Sequence, residues 1–384
     1  MGEVALFSKG QGYSKADLRP SGSPAFLYGQ MYTDYRLSIT DSNQYLPQGS
    51  KGIFSTSGDV IVPASGESAQ EIAIASVVEK AGILLGGDLN IIKPNETILD
   101  STFLALNASG GKLHNNLAAR AQGKTIVHLH NPDIASSPIK FPTIPEQRLI
   151  GEFFSTLDSL IAAAERQEAL LRQKKQAYLQ LMFPREGETE PRLRFSGFND
   201  AWKRIALRSV LKINEERNTA SEFGFDKTIS VSTMRFKPEG NGAAHASLET
   251  YRVLRVGDVA FEGNRHKEYP YGHVVINDIG DGLMSSRFRS FRPTQPICVP
   301  FWKYLLQNRY IMTPLLLRST MRGTLMNELV VDDFLKQRTP MPSLQEQLEI
   351  GDFFETLDRL IENVEGRIAQ LRKMKSSYLQ KLFV

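Results

Sequence analysis

The sequence predicts an α+β fold, with two strand-rich mixed globular domains separated by two long antiparallel coiled-coil helices that give an internal pseudo-twofold repeat. The first observation is that residues 142–183 recur at 342–383, with 21 identities in 42 positions. The second is that both copies carry apolar residues at heptad spacing. The third is that the segment before each copy consists of short apolar runs broken by Gly, Pro, Ser and Asn.

These observations divide the chain into four segments. Residues 1–141 form the first domain, 142–184 the first spacer helix, 185–341 a connector with the second domain, and 342–384 the second spacer helix. Helices of about 36 residues are on the order of 54 Å long, which is longer than a small domain is wide. The alternative is a pair of core helices in an ordinary helical fold, and the fixed offset of 200 residues argues against it.

The heptads predict a seam between the two helices. Its first set of positions is Ile150, Leu157, Leu171 and Tyr178 in one copy and Ile350, Leu357, Val364, Leu371 and Tyr378 in the other; its second set, three residues on, is Phe153, Leu160, Phe353, Leu360 and Met374. We expect Leu157, Leu160, Leu357 and Leu360 to meet in an antiparallel pair within one chain, since a parallel pair would require the second domain to bridge a helix length.

Further apolar residues lie beside the seam positions and widen the apolar stripe along each helix. We therefore expect each helix to pack against a third surface besides the other helix. These further residues are Phe154, Ile161, Phe354, Ile361 and Ile368. Together with Phe153, Leu157, Leu160, Phe353, Leu357 and Leu360, the first four are the candidate residues for the helix seam and for partner contacts.

The two domains share landmarks although the residues between them differ. Gly58-Asp59-Val60 matches Gly257-Asp258-Val259, Pro94 matches Pro293, and Gly123 matches Gly323, which predicts the same turns in both domains. Predicted strand runs are 26–28, 60–62, 72–78 and 126–129 in the first domain and 228–232, 253–261, 273–276 and 288–291 in the second. Residues 99–122 look helical at both ends, with Gly110 and Gly111 as the break.

The start of the first repeat aligns with an interior point of the second. Met1–Val4 corresponds to Leu207–Val210, and nothing before Met1 matches the lead-in 191–206. Either the natural start lies upstream, or the first domain does without this lead-in.

Charge is distributed unevenly along the chain. The overall net charge is +4, but residues 185–341 carry 24 basic and 18 acidic side chains whereas residues 1–141 carry 11 and 12. A polyanion would therefore be attracted most strongly to the second domain. The single cysteine, Cys298, excludes an internal disulfide framework, and we recognise no signal peptide or bilayer-spanning run, which favours a cytoplasmic protein without membrane contact.

The sequence motifs of common catalytic sites are incomplete. Gly123-Lys124-Thr125 resembles the end of a phosphate-binding loop, but Ala118 stands where that loop needs glycine. Residues 131–134, Asn-Pro-Asp-Ile, lack the second proline and the aromatic of an adenine methyltransferase motif, and we expect a turn leading into a strand there. His128 and His130 have no neighbouring ligand cluster. We predict no catalytic residue and no metal site, although a triad scattered over distant loops would escape this search.

Basic and polar loop residues remain as candidates for DNA contact. Arg and Lys neutralise phosphate, and the Arg guanidinium can donate two hydrogen bonds to O6 and N7 of guanine. In the first domain the candidates are Lys9, Gln11, Lys15, Arg36, Arg120 and Lys124; in the second they are Arg235, Lys237, Arg265, His266, Lys267, Arg287, Arg289, Arg318 and Arg322. Taken singly, each is better explained as a solvated surface charge, whereas the set as a whole is better explained by binding of a polyanion.

The two repeats carry a recognisable pattern: Pro-x-x-x-Glu-Gln, then Ile, Phe-Phe, Leu-Asp-x-Leu-Ile, Leu-Arg, Lys, and Tyr-Leu-Gln before a final Phe. This pattern closely resembles the helical regions of specificity subunits of type I restriction-modification systems, and the resemblance covers nearly the whole chain. It implies two target recognition domains, each reading one half of a bipartite, asymmetric double-stranded DNA target, held apart by helices that fix the spacer and dock methylation subunits.

The resemblance also implies a subunit without catalytic residues. No cofactor is expected in this chain, because S-adenosylmethionine belongs to the methylation subunits and ATP to the restriction subunit. Two alternatives stay open: a coiled-coil adaptor without specific DNA binding, which leaves the basic second domain unexplained, and a fused enzyme, for which the repeats leave no room. The sequence does not predict the target bases or the spacer length.

Overall fold

The computed structural model describes residues 1–239 and 245–383, and the chain forms two compact units. The first unit comprises Met1–Arg166 and Glu365–Val384, and the second comprises Gln167–Val364. Each unit therefore holds one globular domain and a part of each long helix. The predicted boundaries at residues 141, 184 and 341 divide the chain into consecutive segments, whereas each unit contains parts of both long helices. The predicted boundaries therefore stay a prediction.

Two long helices dominate the secondary structure, as predicted. They run over Ile144–Leu181 and Leu344–Leu382, 38 and 39 residues, which corresponds to about 57 Å and 58 Å. The Glu-Gln motif explains where they begin: the side-chain amide of Gln147 donates to the carbonyl of Pro142 at 2.8 Å, and that of Gln347 donates to Pro342 at 3.1 Å. These bonds fasten the first turn of each helix to the chain that enters it.

In the first unit, the two helix segments pair antiparallel. Lys375 contacts Asp158 with 2.5 Å between Nζ and Oδ1, and the rings of Tyr378 and Phe153 lie 5.1 Å apart. Residue numbers rise on one helix as they fall on the other.

The second unit repeats the same contacts one repeat away. Lys175 contacts Asp358 at 2.5 Å, and the rings of Tyr178 and Phe353 lie 5.1 Å apart. The predicted antiparallel pairing within one chain is therefore confirmed in each unit.

The predicted phase of the seam was partly wrong. Leu157 and Leu357 are buried, but Leu160 and Leu360 are 39% and 46% exposed. Leu179 is buried near the end of the first helix. The other buried apolar positions are Phe154, Leu157, Ile161 and Ala164 on the first helix and Ile350, Phe354, Leu357, Ile361, Val364 and Ile368 on the second. The spacing between these buried residues alternates between three and four, which is the spacing of a heptad repeat. Leu160, Leu360, Phe153 and Met374 lie beside this buried row, on the partly exposed side of their helices.

Phe154 and Phe354, which widen the apolar stripe, are covered by the domains of the chain itself, so the predicted third surface is present. Phe154 is fully buried in the core of the first unit, where its ring lies 6.1 Å from that of Phe383. Phe354 is fully buried in the second unit, 4.9 Å from Tyr304. The domain folded onto each helix segment therefore provides the apolar surface that the stripe requires.

The first domain is built on a five-stranded sheet. Its strands, in spatial order, are Ala5–Lys9, Leu89–Pro94, Asp59–Pro63, Ser76–Val78 and Ser38–Ile39. A second sheet has the order Gln44–Leu46, Ser23–Phe26, Leu84–Leu85 and Ile53–Phe54, and Val127–His128 pairs with Ser65–Gly66. The helices are Gln30–Thr33, Ala69–Ile72, Ser101–Gly110, Lys112–Arg120 and Asn131–Ala135, with a 3-10 turn at Lys15–Asp17.

The second domain has a four-stranded sheet of the same kind. Its order is Leu211–Ile213, Arg289–Pro293, Val259–Glu262 and His273–Ile276. The strand pairs are Lys203–Ala206 with Arg338–Met341, Ile229–Ser230 with Arg235–Phe236, Arg252–Leu254 with Gly282–Met284, and Thr320–Arg322 with Asn327–Leu329. The helices are Val299–Gln307, Arg309–Leu317 and Val331–Lys336, with 3-10 turns at Leu207–Ser209, Phe225–Lys227 and His245–Thr250.

One pair of shared landmarks, Gly58 and Gly257, makes the same turn in both domains, as predicted, whereas Gly123 has a φ of 136° and its counterpart Gly323 has no positive φ. Gly58 and Gly257 both have φ of 89°, which disfavours a side chain at either position. The carboxylate that follows accepts a backbone N–H three residues back, from Thr56 to Asp59 at 2.7 Å and from Arg255 to Asp258 at 2.8 Å. Both central strands therefore start from the same closed turn.

Several local predictions need correction. The run 253–261 holds two strands, Arg252–Leu254 and Val259–Glu262, with the Gly257 turn between them, and the run 26–28 overlaps the strand Ser23–Phe26 only at Phe26. Residues 131–134 begin a short helix, Asn131–Ala135, because Pro132 suits the first turn and the Asp133 carboxylate accepts the N–H of His130 at 3.1 Å. The run 72–78 holds a strand only over Ser76–Val78. The helices between 299 and 317 were not predicted, because Pro300 and Pro314 lie within them. None of the helices in the described ranges combines the length and apolar character needed to cross a bilayer.

Candidate nucleic-acid interface

A groove of about 490 Å³ opens between two edges of the second domain. Phe261 and Gly263 lie on one side of it, and the hairpin formed by Thr320–Arg322 and Asn327–Leu329 lies on the other. The backbone N–H of Asn327 donates to the carbonyl of Gly263 at 2.8 Å, so the loop after the Val259–Glu262 strand is fastened to the hairpin.

Two of the predicted arginines line this groove, and two more lie on or contact the hairpin beside it. Arg287 and Arg289 line it, and the Arg265 guanidinium donates to the carbonyl of Gly323 in the hairpin turn. Arg322 ends the first hairpin strand. All four are exposed, and within residues 1–239 and 245–383 none of them forms an ion pair with a carboxylate, so their charges remain available to a ligand.

Two acidic residues reduce the positive charge of the groove. Glu328 lines it and is exposed. Glu262 is buried at the end of the Val259–Glu262 strand, and burial raises the pKa of its carboxyl, although its hydrogen bond with Asn264 and the charge of Arg287 act in the opposite direction. The net field of the groove therefore remains positive.

The remaining second-domain candidates occupy separate places. Arg235 and Lys237 are exposed on and just after the Ile229–Ser230 and Arg235–Phe236 hairpin, and His266 and Lys267 are exposed on the loop that follows Arg265. Arg318 instead forms an ion pair with Glu186 at 2.7 Å and a hydrogen bond with Gln337 at 3.2 Å. Its guanidinium is occupied by contacts within the chain.

In the first domain the predicted cations are more often occupied. Arg36 contacts Asp41 at 2.8 Å and Asp34 at 3.6 Å, Lys9 lies 3.9 Å from Asp88, and Arg120 donates to Ser136 at 3.2 Å. Gln11, Lys15 and Lys124 are exposed. The free positive charge is therefore concentrated in the second domain, in agreement with the charge counted along the sequence.

Comparison with known families decides what these domains belong to. The profile described as the type I restriction modification DNA specificity domain matches residues 1–173 and 199–373, which is most of the chain and one match per repeat. The chain belongs to this family. The resemblance drawn from the repeated helices is therefore confirmed, and target recognition on DNA is the role of a type I specificity subunit.

Individual relatives agree with this assignment. The type I restriction enzyme MjaVIII specificity subunit of Methanocaldococcus jannaschii is 24% identical over 378 residues, covering 92% of this chain and 85% of that protein. The crystal structure of a type I restriction-modification S subunit from M. genitalium superposes with a TM-score of 0.61 at 15% identity, covering 100% of this chain and 94% of that one. A second structure, from work on complex assembly and conformational transition of the type I R-M system, superposes with a TM-score of 0.57 at 16% identity. The match covers 98% of this chain and 95% of that one. These likenesses support the fold.

The specificity subunit also contains a charged network that the sequence did not reveal. Arg255 contacts Glu216 at 2.6 Å and Glu222 at 2.7 Å, and Arg292 contacts Glu216 at 2.6 Å and Asp258 at 2.7 Å. Hydrogen bonds to Glu222 and Glu216 raise the pKa of Arg255. Burial alone would raise the pKa of Glu216, but its bonds with the two arginines lower it. Both arginines therefore hold the second domain together.

A second missed feature ties the connector to the second long helix. The carboxylate of Glu346 is 1% exposed, accepts two hydrogen bonds from Arg194 at 2.7 Å and 2.8 Å, and accepts a third from Trp202 Nε1 at 3.2 Å. The equivalent Glu146 on the first helix is exposed. The glutamate of the shared Glu-Gln motif is therefore buried and hydrogen-bonded in the second unit but exposed in the first. No cluster of three or more metal-ligating side chains occurs in the described parts of the chain.

Proposed function

We propose that this chain is the non-catalytic DNA-reading subunit of a type I complex, and that each domain reads one half of a bipartite, asymmetric target. The supporting observation is that the two domains keep one scaffold but present different surfaces. The Gly58 and Gly257 turns match, whereas the exposed arginines gather around the groove of the second domain. Equal scaffolds with unequal surfaces favour two half-sites of different sequence.

The second domain provides most of the affinity in this proposal. Arg265, Arg287, Arg289 and Arg322 present guanidinium groups whose planar forks match the O6 and N7 atoms of guanine, and each also neutralises phosphate. The first domain, with Arg36 and Lys9 near carboxylates, relies more on neutral donors and on Lys15 and Lys124. We therefore expect at least one guanine in the half-site of the second domain.

The long helices set the spacing of the half-sites. The antiparallel contacts of Asp158 with Lys375 and of Lys175 with Asp358 fix the register of the two helices. With about 3.4 Å of rise and about 34° of twist per base pair, a spacer changed by a single pair would misplace one half-site in both position and orientation.

Methylation subunits dock on the helices in this proposal and contribute S-adenosylmethionine, whereas ATP belongs to the restriction subunit. Leu160 and Leu360 support this role because they occupy equivalent positions and remain 39% and 46% exposed. An apolar side chain repeated on the open flank of a helix pair suits an interface with a partner protein.

Methylation by the reconstituted complex tests the proposal. The chain is combined with the methylation subunits of its source cell and offered a library of random duplexes, and methylated adenines are mapped. The expected target has two different short motifs separated by an unread spacer of one length. Arg287→Ala with Arg289→Ala should relax one motif only, whereas Arg318→Ala, whose guanidinium is held by Glu186, should leave both unchanged. Sequence-independent methylation, or a palindromic target, would contradict the proposal.

A further inference from the structure

The tip of the Thr320–Arg322 and Asn327–Leu329 hairpin presents an apolar side chain to solvent. Leu325 is 84% exposed and Met321 on the same hairpin is 60% exposed. Leucine gains free energy when it leaves water, so a leucine left this open has no packing role within its own domain. The exposure leaves the Leu325 side chain free to contact a ligand, and its surroundings decide which.

The matching turn of the first domain also exposes an apolar side chain, one position further along, because Ile126 corresponds to Met326 rather than to Leu325. Ile126 is 57% exposed in the turn that precedes the Val127–His128 strand. Both turns rest on a glycine: a Cβ at Gly123 would lie 2.0 Å from the carbonyl oxygen of Ile126, and one at Gly323 would lie 2.5 Å from that of Met326. The tight backbone approach that projects the tip is thus present twice.

The surroundings of Leu325 identify the chemistry of its ligand. Leu325 lines the same groove as Arg287 and Arg289, and Arg265 donates to the carbonyl of Gly323 two residues before the tip. Phe261, Met326 and Leu329 also line the groove, so its apolar surface extends beyond the tip, but Arg287 and Arg289 lie among them and make the groove cationic. A ligand with an anionic rim and stacked apolar planes inside matches both features, and duplex DNA is such a ligand.

We propose that Leu325 inserts between two adjacent base pairs of the half-site read by the second domain, unstacking them and kinking the duplex, and that Ile126 does the same in the other half-site. This inference rests on the proposed function, since it requires that the domains read DNA. The arginines around the groove hold the phosphates on either side while the leucine separates the bases. Recognition then includes the ease of unstacking, which favours a pyrimidine–purine step at the insertion point.

Fluorescence of 2-aminopurine provides the test. The base is placed in turn at each position of the target duplex identified by methylation mapping, and the reconstituted methylation complex is added. In each half-site the wild-type complex should brighten one step that is separate from the methylated adenine, since the methylation subunits themselves take that adenine out of the stack. Leu325→Ala should lose the signal in its own half-site only, with affinity about tenfold lower, and Ile126→Ala should do the same in the other.

A matched control and a rescue separate insertion from ordinary contact. Leu317→Ala removes a leucine that is 56% exposed at the end of a helix in the same domain, and it should change neither signal nor affinity. A mismatch at the insertion step removes the cost of unstacking, so it should restore binding by Leu325→Ala to within about twofold of wild type on the same duplex. Unchanged fluorescence in Leu325→Ala, or a loss that the mismatch does not rescue, would overturn the insertion while leaving target reading intact. A wild-type complex that methylates no defined sequence would overturn both.

Discussion

Lys175 of the first long helix and Asp358 of the second form an ion pair in the second unit, with 2.5 Å between Nζ and Oδ1. The hydroxyl of Tyr304 donates to the other carboxylate oxygen of Asp358 at 2.8 Å. Exactly one repeat away, in the first unit, Lys375 and Asp158 form the equivalent pair. The pairs are partly buried, which makes them better candidates than surface charges for fixing the helix register.

A double-mutant cycle tests the coupling of this pair. Lys175→Met and Asp358→Asn should each destabilise the second unit, and their coupling energy should be about 1–2 kcal/mol because both groups are largely withdrawn from water. Both tryptophans of the chain, Trp202 and Trp302, lie in the second unit, so their fluorescence during urea unfolding reports on that unit. The exposed pair Arg192 and Glu188 is the control, and its coupling should be clearly smaller because water screens it. Equal coupling in the two cycles would contradict the role given to Lys175.

The buried carboxylate of Glu346 leads to a second stability prediction. Glu346→Ala should lower the free energy of unfolding of the second unit by about 3 kcal/mol, because it leaves the guanidinium of Arg194, 14% exposed, without its partner. The equivalent Glu146→Ala removes an exposed carboxylate and should cost less than about 0.5 kcal/mol, followed by circular dichroism. Similar losses at the two positions would show that the shared motif acts alike in both units.

Charge on the second domain should dominate the salt dependence of DNA binding. Arg265→Ala with Lys267→Ala should reduce the slope of log K against log salt by about two, since each phosphate contact contributes about 0.9. Lys9→Ala with Lys15→Ala should change the slope less, because the free charge of the first domain is smaller and Lys9 already faces Asp88. Titration of a duplex at several salt concentrations measures both. Equal changes in the two variants would count against the assignment.

Burial of Glu262 predicts a pH effect on stability. Its pKa is raised above the ordinary value of 4.5, so the folded second unit holds this proton more tightly than the unfolded chain does. The stability that it contributes is present at low pH and is lost as pH rises through the folded pKa. Glu262→Gln should therefore gain stability relative to wild type on going from pH 4 to pH 7, whereas the exposed Glu328→Gln should not. A constant difference for Glu262→Gln at both pH values would refute this account.

The scaffold was predictable from sequence where a local pattern determines it. The heptads of the repeats determine long helices, and a glycine followed by aspartate determines the turns at Gly58 and Gly257. The seam phase was not predictable, because Leu160 and Leu360 are apolar on a partly exposed flank and periodicity alone does not separate them from buried leucines. A docking role for these leucines would explain why they are apolar.

The candidate site was less predictable because it depends on which charges find partners. Arg255 and Arg265 read alike in the sequence, but the fold brings Arg255 to Glu216, 39 positions away, and leaves Arg265 at the groove. The number of free cations could be anticipated from the segment charges, whereas their identity required the tertiary contacts.

The preferred spacer length of the DNA target is the most direct test of whether the two long helices set the distance between the half-sites. Inserting one heptad after Glu165 and another after Glu365 preserves the phase of the seam and lengthens the helix pair by about 10.5 Å. The reconstituted methylation complex is offered duplexes that carry both half-sites with every spacer length. We expect a single preferred spacer for the wild type and one about three base pairs longer for the insertion variant. An insertion variant that folds and methylates with the original spacer, or a wild type that accepts every spacer, would show that the helices do not set the distance between the half-sites.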